Sequence, residues 1–136
     1  MGKIEEIIAA LHLEPHRVAG WFAPSFRERT QGHRADMTAI YYLLCAGDEL
    51  PKRKLDSFEI WHFYDGAPVE VTLTQTARPA EIMRLGRDLI AGERPQIAIP
   101  AYFWQSCRTL GEWSLVGCTT TPGYSSKTTR FAEIRA

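Results

Sequence analysis

The segment from Phe58 to Gly66 restricts the fold of this chain more than any other part of its sequence. Its aromatic and β-branched residues are typical of a β-strand, and an Asp-Gly pair predicts a turn at its end. Side chains alternate across a strand, so Glu59 and Trp61 share one face and His62 lies on the opposite face. If the face of Glu59 is the core, a carboxylate lies inside a barrel or sandwich, where it is costly unless it is paired or used chemically.

Short apolar segments recur along the chain at intervals of roughly 8–12 residues, with Gly and Pro between them. We predict strands over residues 21–27, 37–45, 58–64, 69–74, 81–85, 96–99, 103–108 and 113–120. This spacing predicts an all-β sandwich or barrel. Residues 2–12 instead carry apolar side chains at helical spacing and predict one short N-terminal helix. We interpret the basic run at residues 51–54 as a solvated loop or the edge of a pocket rather than as a nuclear-localisation signal.

The composition argues against several classes of protein. Sixteen basic side chains balance sixteen acidic ones, so the basic excess of a nucleic-acid-binding surface is missing. No apolar run approaches the roughly 18 residues of a membrane span, and the first residues do not resemble a signal peptide. The three cysteines are odd in number and widely spaced, which indicates reduced thiols in a cytoplasmic protein rather than disulfides or a zinc site.

Five segments, taken in order, carry a resemblance to a known family. They are TAIYYLL at 38–44, EIWHFYDG at 59–66, LGRDLIAGERPQ at 85–96, IPAYFWQ at 99–105 and SLVGCTTTPG at 114–123. Together they resemble the small single-domain cupins of the cupin 5 group, whose fold is close to that of the dTDP-sugar 3,5-epimerases. The resemblance implies an all-β, cupin-type antiparallel β-barrel or jelly roll with a short N-terminal helix, assembled as a homodimer. We expect one domain over 1–136, with a lead-in at 1–14, the barrel at 15–122 and a C-terminal segment at 123–136.

The cupin metal motifs are only partly kept in this sequence. Three positions of the first motif are in register: Gly47, Glu59 and Gly66. Its two histidine positions fall on Arg53 and Leu55, and the histidine position of the second motif falls on Gln105. Iron, nickel and zinc in such sites are bound by imidazoles together with a carboxylate, and arginine cannot ligate a metal. The resemblance therefore implies a cupin without a metal and without another cofactor.

The group's N-terminal pattern, Pro-His-Pro-Glu-Gly-Gly-Tyr-Phe-Arg-Glu-Thr-Tyr-Arg, is also altered here. His16 keeps the Pro-His pair, and Arg34 matches the group, but the acidic position falls on Val18. If the missing groups lined the family's pocket, this chain either binds a different ligand or has lost the family activity.

Glu59 is the candidate catalytic residue, acting as an acid–base group, and the competing interpretation is a structural salt bridge to Arg53 or Arg34. The side chains expected to hold or shape a ligand are Arg53, Arg34, Tyr41, Trp61, Trp104, Gln105 and His16. We expect a metal-independent cupin that binds a small polar, anionic or sugar-like metabolite, with isomerase-like or epimerase-like chemistry left open. The alternatives are a non-catalytic binding or structural dimer and a metal-dependent enzyme that uses Glu59.

Overall fold

The computed structural model describes residues 2–132, so Met1 and the last four residues of the expected C-terminal segment lie outside it. One helix precedes the strands: α1 (Lys3–Leu11). The strands are β1 (Glu14–Pro15), β2 (Trp21–Arg27), β3 (Thr38–Cys45), β4 (Leu50–Lys54), β5 (Phe58–Gly66), β6 (Val69–Thr74), β7 (Glu81–Leu85), β8 (Gln96–Ile99), β9 (Trp104–Thr109), β10 (Trp113–Thr121) and β11 (Arg130–Phe131). All eight predicted strands are present, with ends shifted by two residues at most.

Two antiparallel sheets form the molecule. One sheet has the order β1-β2-β3-β10-β5-β8, and the other has the order β11-β4-β9-β6-β7. Consecutive strands often lie in different sheets, so the chain crosses repeatedly between the two layers, as in a jelly roll. The predicted all-β fold with a short N-terminal helix is confirmed.

Two local predictions need correction. Residues 51–54 are not a loop, because they belong to strand β4, which pairs with β9 and β11. The Asp65–Gly66 pair stands at the end of its strand as predicted, but it belongs to the strand and not to the turn after it. Strand β5 ends at Gly66, and the chain then crosses to β6 in the opposite sheet. Gly66 has a φ of 87°, and a Cβ there would lie 2.5 Å from the carbonyl oxygen of Trp113, so only glycine fits this crossing.

The main core fills the space between the two sheets. Its fully enclosed side chains include Tyr42, Leu44, Trp61, Val71 and Val116. A second, smaller cluster lies on the outside of the first sheet, where helix α1 covers β3: Ile7, Leu13 and Leu43. Strand β3 is therefore apolar on both faces, because one face lines the interior and the other packs against the helix.

Most of the outer face of strand β5 is open. Phe58, Ile60 and Tyr64 are exposed on it, as the alternation in the sequence predicts. His62 lies on the same face, where its ring stacks with that of Tyr64 at a centroid distance of 6.4 Å and its Nε2 is 3.3 Å from the hydroxyl of Thr119.

Within residues 2–132 no helix combines the length and apolar character needed to cross a membrane.

Candidate ligand-binding site

A polar cluster lies inside the barrel, surrounded by the main core. Arg53 comes from β4, Glu59 from β5 and Gln105 from β9, and their exposures are 6%, 3% and 4%. Arg53 and Gln105 are direct partners across the β4–β9 ladder, and Glu59 reaches Arg53 from the opposite sheet. Because side chains alternate along a strand, these polar side chains from both sheets point toward one another in the interior.

The charged pair inside the barrel is incompletely hydrogen-bonded. Nη2 of Arg53 lies 3.6 Å from Oε2 of Glu59, which is an ion pair but too long for a normal hydrogen bond. Oε1 of Glu59 and Nε1 of Trp61 are both buried without a hydrogen-bond partner among residues 2–132. The interior thus holds one donor, Nε1 of Trp61, and one acceptor, Oε1 of Glu59, that the described part of the chain leaves without partners.

The interior favours the charged form of arginine and the neutral form of its thiols. Burial alone would lower the pKa of Arg53, but the facing Glu59 carboxylate and nearby thiol and phenol groups raise it above its ordinary value. Burial also raises the pKa of Cys107 to about 12, and it raises the pKa of Cys118 well above its usual range. Both cysteines are therefore protonated at neutral pH and do not act as nucleophiles.

Strand β3 places Tyr42, not Tyr41, in the interior. The phenol of Tyr42 donates a hydrogen bond to the backbone oxygen of Ala19, and burial raises its pKa. Tyr41 lies on the outer face, next to the helix-covered cluster, with its ring 6.3 Å from that of Tyr64. The structure therefore does not bring Tyr41 to the enclosed site. The sequence misses Tyr42 because both faces of β3 are apolar, and alternation alone does not say which face is inside.

Strand β9 separates two residues that the sequence analysis placed together. Gln105 and Cys107 face inward, whereas Trp104 lies on the outer side, with Nζ of Lys54 4.8 Å from its ring centroid. Neighbouring residues on a strand point in opposite directions, so Trp104 and Gln105 cannot both line one interior.

His16 is half-buried against the rings of the interior. Its ring centroid is 5.1 Å from that of Phe22 and 5.3 Å from that of Tyr42. Nδ1 accepts a hydrogen bond from the backbone N–H of Val18 at 3.2 Å, which leaves Nε2 as the protonated nitrogen. Burial, and then the charges of Arg53 and Arg17, lower the pKa of His16. Arg53 is thus close enough to affect the ionisation of His16.

Arg34 is fully engaged outside the enclosed cluster. Its Nη1 and Nη2 each donate to a carboxylate oxygen of Asp56 at 2.8 Å, Nη2 also lies 3.1 Å from Ser57, and Nε donates to the backbone oxygen of Gly123 at 2.8 Å. These bonds from Arg34 hold the pKa of Asp56 down at about 2. The structure therefore does not bring Arg34 to Glu59, and of the two salt bridges considered for Glu59 it contains the one to Arg53.

The residues present do not fit a transition metal. Of the four positions that carry ligands in the cupin motifs, Glu59 alone is a strong transition-metal ligand, since the others are Arg53, Leu55 and the neutral amide of Gln105. Within residues 2–132 no group of three or more His, Cys, Asp or Glu side chains is arranged to hold a metal ion. The fixed charge of Arg53 beside Glu59 also repels a cation.

Open cavities also lie outside the barrel interior. One, of about 490 Å³, is bordered by β7 and β8 and includes Arg84 and Arg94. The other, of about 350 Å³, lies beside His62 and Tyr64. Neither is lined by the buried atoms of Glu59 and Trp61 that are free to bond, so we place the candidate site in the interior.

The two crossing sheets and the enclosed polar cluster define a cupin-type barrel. Residues 5–132 match the family model described as Cupin superfamily (DUF985), and the chain belongs to that family. The family resemblance read from the five sequence segments is confirmed. No curated protein sequence matches the chain significantly.

Solved structures agree with this assignment. A protein from Shewanella oneidensis is 29% identical, with a TM-score of 0.89, and the match covers 98% of this chain and 86% of that one. A hypothetical protein from Leishmania major is 20% identical, with a TM-score of 0.82 and coverages of 93% and 85%. Oxalate decarboxylase from Bacillus subtilis is 14% identical, with a TM-score of 0.68, and the match covers 91% of this chain but 30% of that one. The last two similarities show the fold alone.

Proposed function

We propose that this cupin binds a small metabolite bearing a carboxylate in its barrel interior, through Arg53 and without a transition metal. One observation carries the proposal: the Arg53 side chain is only 7% exposed, yet its Nη2 lies 3.6 Å from Oε2 of Glu59, which is too long for a normal hydrogen bond. An arginine has five N–H donors in a fixed fork that matches a carboxylate, and a buried donor without an acceptor is costly. A bound carboxylate would supply the acceptors.

The remaining interior groups support a polar ligand. Gln105 lies directly across the ladder from Arg53 and has both donors and an acceptor to offer. His16 has a lowered pKa, so it is neutral at physiological pH and adds no repulsion toward a polar group. A sugar-like ligand would use the same donors and acceptors.

The test is binding of small organic acids, followed by protein NMR and thermal shift. We expect acids to stabilise the wild-type protein and to shift the indole signal of Trp61. The variant Arg53→Met combined with Glu59→Leu removes the pair without leaving an unpaired charge, and it should lose this binding. Arg34→Ala is the matched control, since it removes an arginine from outside the interior and should keep binding. If no carboxylate binds the wild-type protein, or if the double variant binds equally well, the proposal fails.

A second candidate is acid–base catalysis of the isomerase type by Glu59. It is favoured by Oε1 of Glu59, which is buried and free to accept a proton. Glu59 would take a proton from the carbon beside the carboxylate of the ligand and return it, so deuterium from heavy water would enter that position. Deuterium incorporation that disappears in Glu59→Gln would support catalysis. Tight binding with no exchange would leave non-catalytic ligand binding as the function.

We extend the proposal to a homodimer formed through the outer face of β5. Phe58 is 59% exposed and Tyr64 is 51% exposed, and Ile60 lies between them on the same face. An exposed strip of this kind, apolar except for His62, is normally covered by a partner surface. Native mass spectrometry should show two chains and no bound iron, nickel or zinc. A single chain of 15.4 kDa would contradict the dimer, and a stoichiometric transition metal would contradict the metal-free site.

A further inference from the structure

Two unpaired atoms on strand β5 specify what the ligand carries besides a carboxylate. Oε1 of Glu59 and Nε1 of Trp61 are both buried and without partners in the described chain. The two residues are separated by one position and face the interior side by side. The first atom needs a donor and the second needs an acceptor.

Few small functional groups can satisfy both atoms, because one atom needs a donor and the other needs an acceptor. An ionised carboxylate can accept from Trp61, but it has no proton to donate and is repelled by Glu59. An ammonium group can donate to Glu59, but it cannot accept from Trp61. A hydroxyl group both donates and accepts, so it satisfies the two atoms together, or two neighbouring hydroxyls satisfy one atom each.

Arg53 fixes where the carboxylate of such a ligand lies. Its guanidinium contacts the Oε2 side of Glu59, so the carboxylate of that residue has one oxygen toward Arg53 and the other oxygen free. A ligand carboxylate held by Arg53 therefore lies near Glu59, and an acceptor-only ligand would suffer repulsion there. A hydroxyl placed between the ligand carboxylate and Glu59 changes this repulsion into a hydrogen bond.

Resting on the proposed carboxylate-binding function, we infer that the ligand is a hydroxy acid. Its carboxylate bonds to Arg53, and its hydroxyl donates to Oε1 of Glu59 and accepts from Nε1 of Trp61. Acids without the hydroxyl, and amino acids of the same carbon skeleton, bind more weakly.

Matched acids that differ in one group test this inference. The probes are lactate, propionate and alanine, and the second set is malate, succinate and aspartate, with both enantiomers of each chiral acid. Dissociation constants come from NMR titration of the wild-type protein. Burying a polar group without its partner is costly enough that we expect the hydroxy acid to bind about tenfold more tightly than its hydrogen or ammonium counterpart. The indole N–H signal of Trp61 should move with the hydroxy acid in particular.

Two variants connect the preference to the two atoms. Trp61→Phe removes the indole donor and should reduce the preference for hydroxy acids over plain acids, while Trp21→Phe, on the helix-covered side, should keep it. Glu59→Gln removes the repulsion and should improve the binding of propionate and succinate. If plain and hydroxy acids bind the wild-type protein equally, the hydroxy-acid inference is overturned while carboxylate binding stands. If none of the acids binds, the proposed function itself fails.

Discussion

Two arginine–carboxylate pairs, Arg34–Asp56 and Arg53–Glu59, differ in how completely their hydrogen bonds are formed. The pair of Arg34 and Asp56 lies partly in solvent and uses four bonds from the guanidinium, to the carboxylate, to Ser57 and to the backbone of Gly123. The pair of Arg53 and Glu59 lies inside the barrel at 3.6 Å, and one carboxylate oxygen has no partner among residues 2–132. Both arginines were predicted to hold a ligand.

Hydrogen-bond saturation, rather than charge, distinguishes Arg34, whose donors the fold uses, from Arg53, for which we propose a role in ligand binding. The bonds of Arg34 tie the segment before β3 to the turn before β5 and to the segment after β10, so its donors are used by the fold. Arg53 has its charge compensated by Glu59, but at 3.6 Å the two side chains do not form a normal hydrogen bond. A buried charge whose partner is close but not hydrogen-bonded destabilises the folded state, and a ligand that completes the bonds offsets this loss of free energy.

The largest expected effect comes from breaking the interior pair. Arg53→Met leaves Glu59 buried without a counter-charge, and we expect a loss of about 3–5 kcal/mol in the free energy of unfolding. Combining it with Glu59→Leu replaces both charges by apolar groups, and this double variant should recover most of the loss. Denaturant unfolding monitored by tryptophan fluorescence measures both values.

The outcome that would contradict this view is a small effect of the single variant. A loss below about 1 kcal/mol for Arg53→Met would mean that Glu59 reaches solvent or takes up a proton, and that the pair is not enclosed. A double variant as unstable as the single one would mean that packing, not charge, dominates at this position.

A smaller effect is expected from the outer pair. Asp56→Asn removes the carboxylate that Arg34 binds, and we expect a loss of about 1 kcal/mol at neutral pH, because the pair is partly exposed. The pKa of Asp56 is lowered from 3.8 to about 2, first by the hydrogen bond from Arg34. A lowered carboxyl pKa gives stability that is complete above 3.8 and disappears as the pH falls through about 2.

Unfolding of the wild-type protein and of Asp56→Asn at neutral pH and again in the acid range checks this dependence. The difference between the two should shrink as the pH falls below 3.8. The double variant of Arg53 and Glu59 is the control, since it leaves Asp56 intact and should keep the acid-range loss. A difference that does not change with pH would mean that the bond from Arg34 to Asp56 contributes through geometry rather than through charge.

The sequence predicts the interior correctly where one face of a strand is polar or exposed. Strand β5 is such a case: Ile60 and Tyr64 face outward, and Glu59 and Trp61 face inward, as their alternation indicates. Strand β3 is the opposite case, because helix α1 makes its outer face as apolar as its inner one. The alternation of polar and apolar residues is then missing, so the sequence does not show whether Tyr41 or Tyr42 faces the interior.

The residues around Arg53 do not themselves show that it faces inward; its place at a histidine position of the cupin motif is what indicates this. A basic run at residues 51–54 is more often a solvated segment, and nothing local shows that this one is a strand. Its direction is set by pairing with β9 in the same sheet, which places Arg53 opposite Gln105. Such a contact depends on residues about fifty positions apart, so it follows from the assembled sheet and not from the segment itself.

The smallest expected effect is on the ionisation of His16, which responds to one arginine and not to the other. Burial, and then Arg53 and Arg17, lower the pKa of His16 below 6.5. A histidine with a lowered pKa favours the neutral form in the folded state, so the protein loses stability as the pH falls from 6.5 through the lowered value. Removing the charge of Arg53 in the Arg53→Met, Glu59→Leu double variant should therefore raise the pKa of His16 toward 6.5, although burial keeps it from reaching that value. Titration of the imidazole proton signals by NMR measures the shift, and Arg34→Ala, which removes an arginine from the outer pair, should leave it unchanged. If the double variant titrates like the wild type, Arg53 does not act on His16 and the two arginines are electrostatically equivalent for that residue.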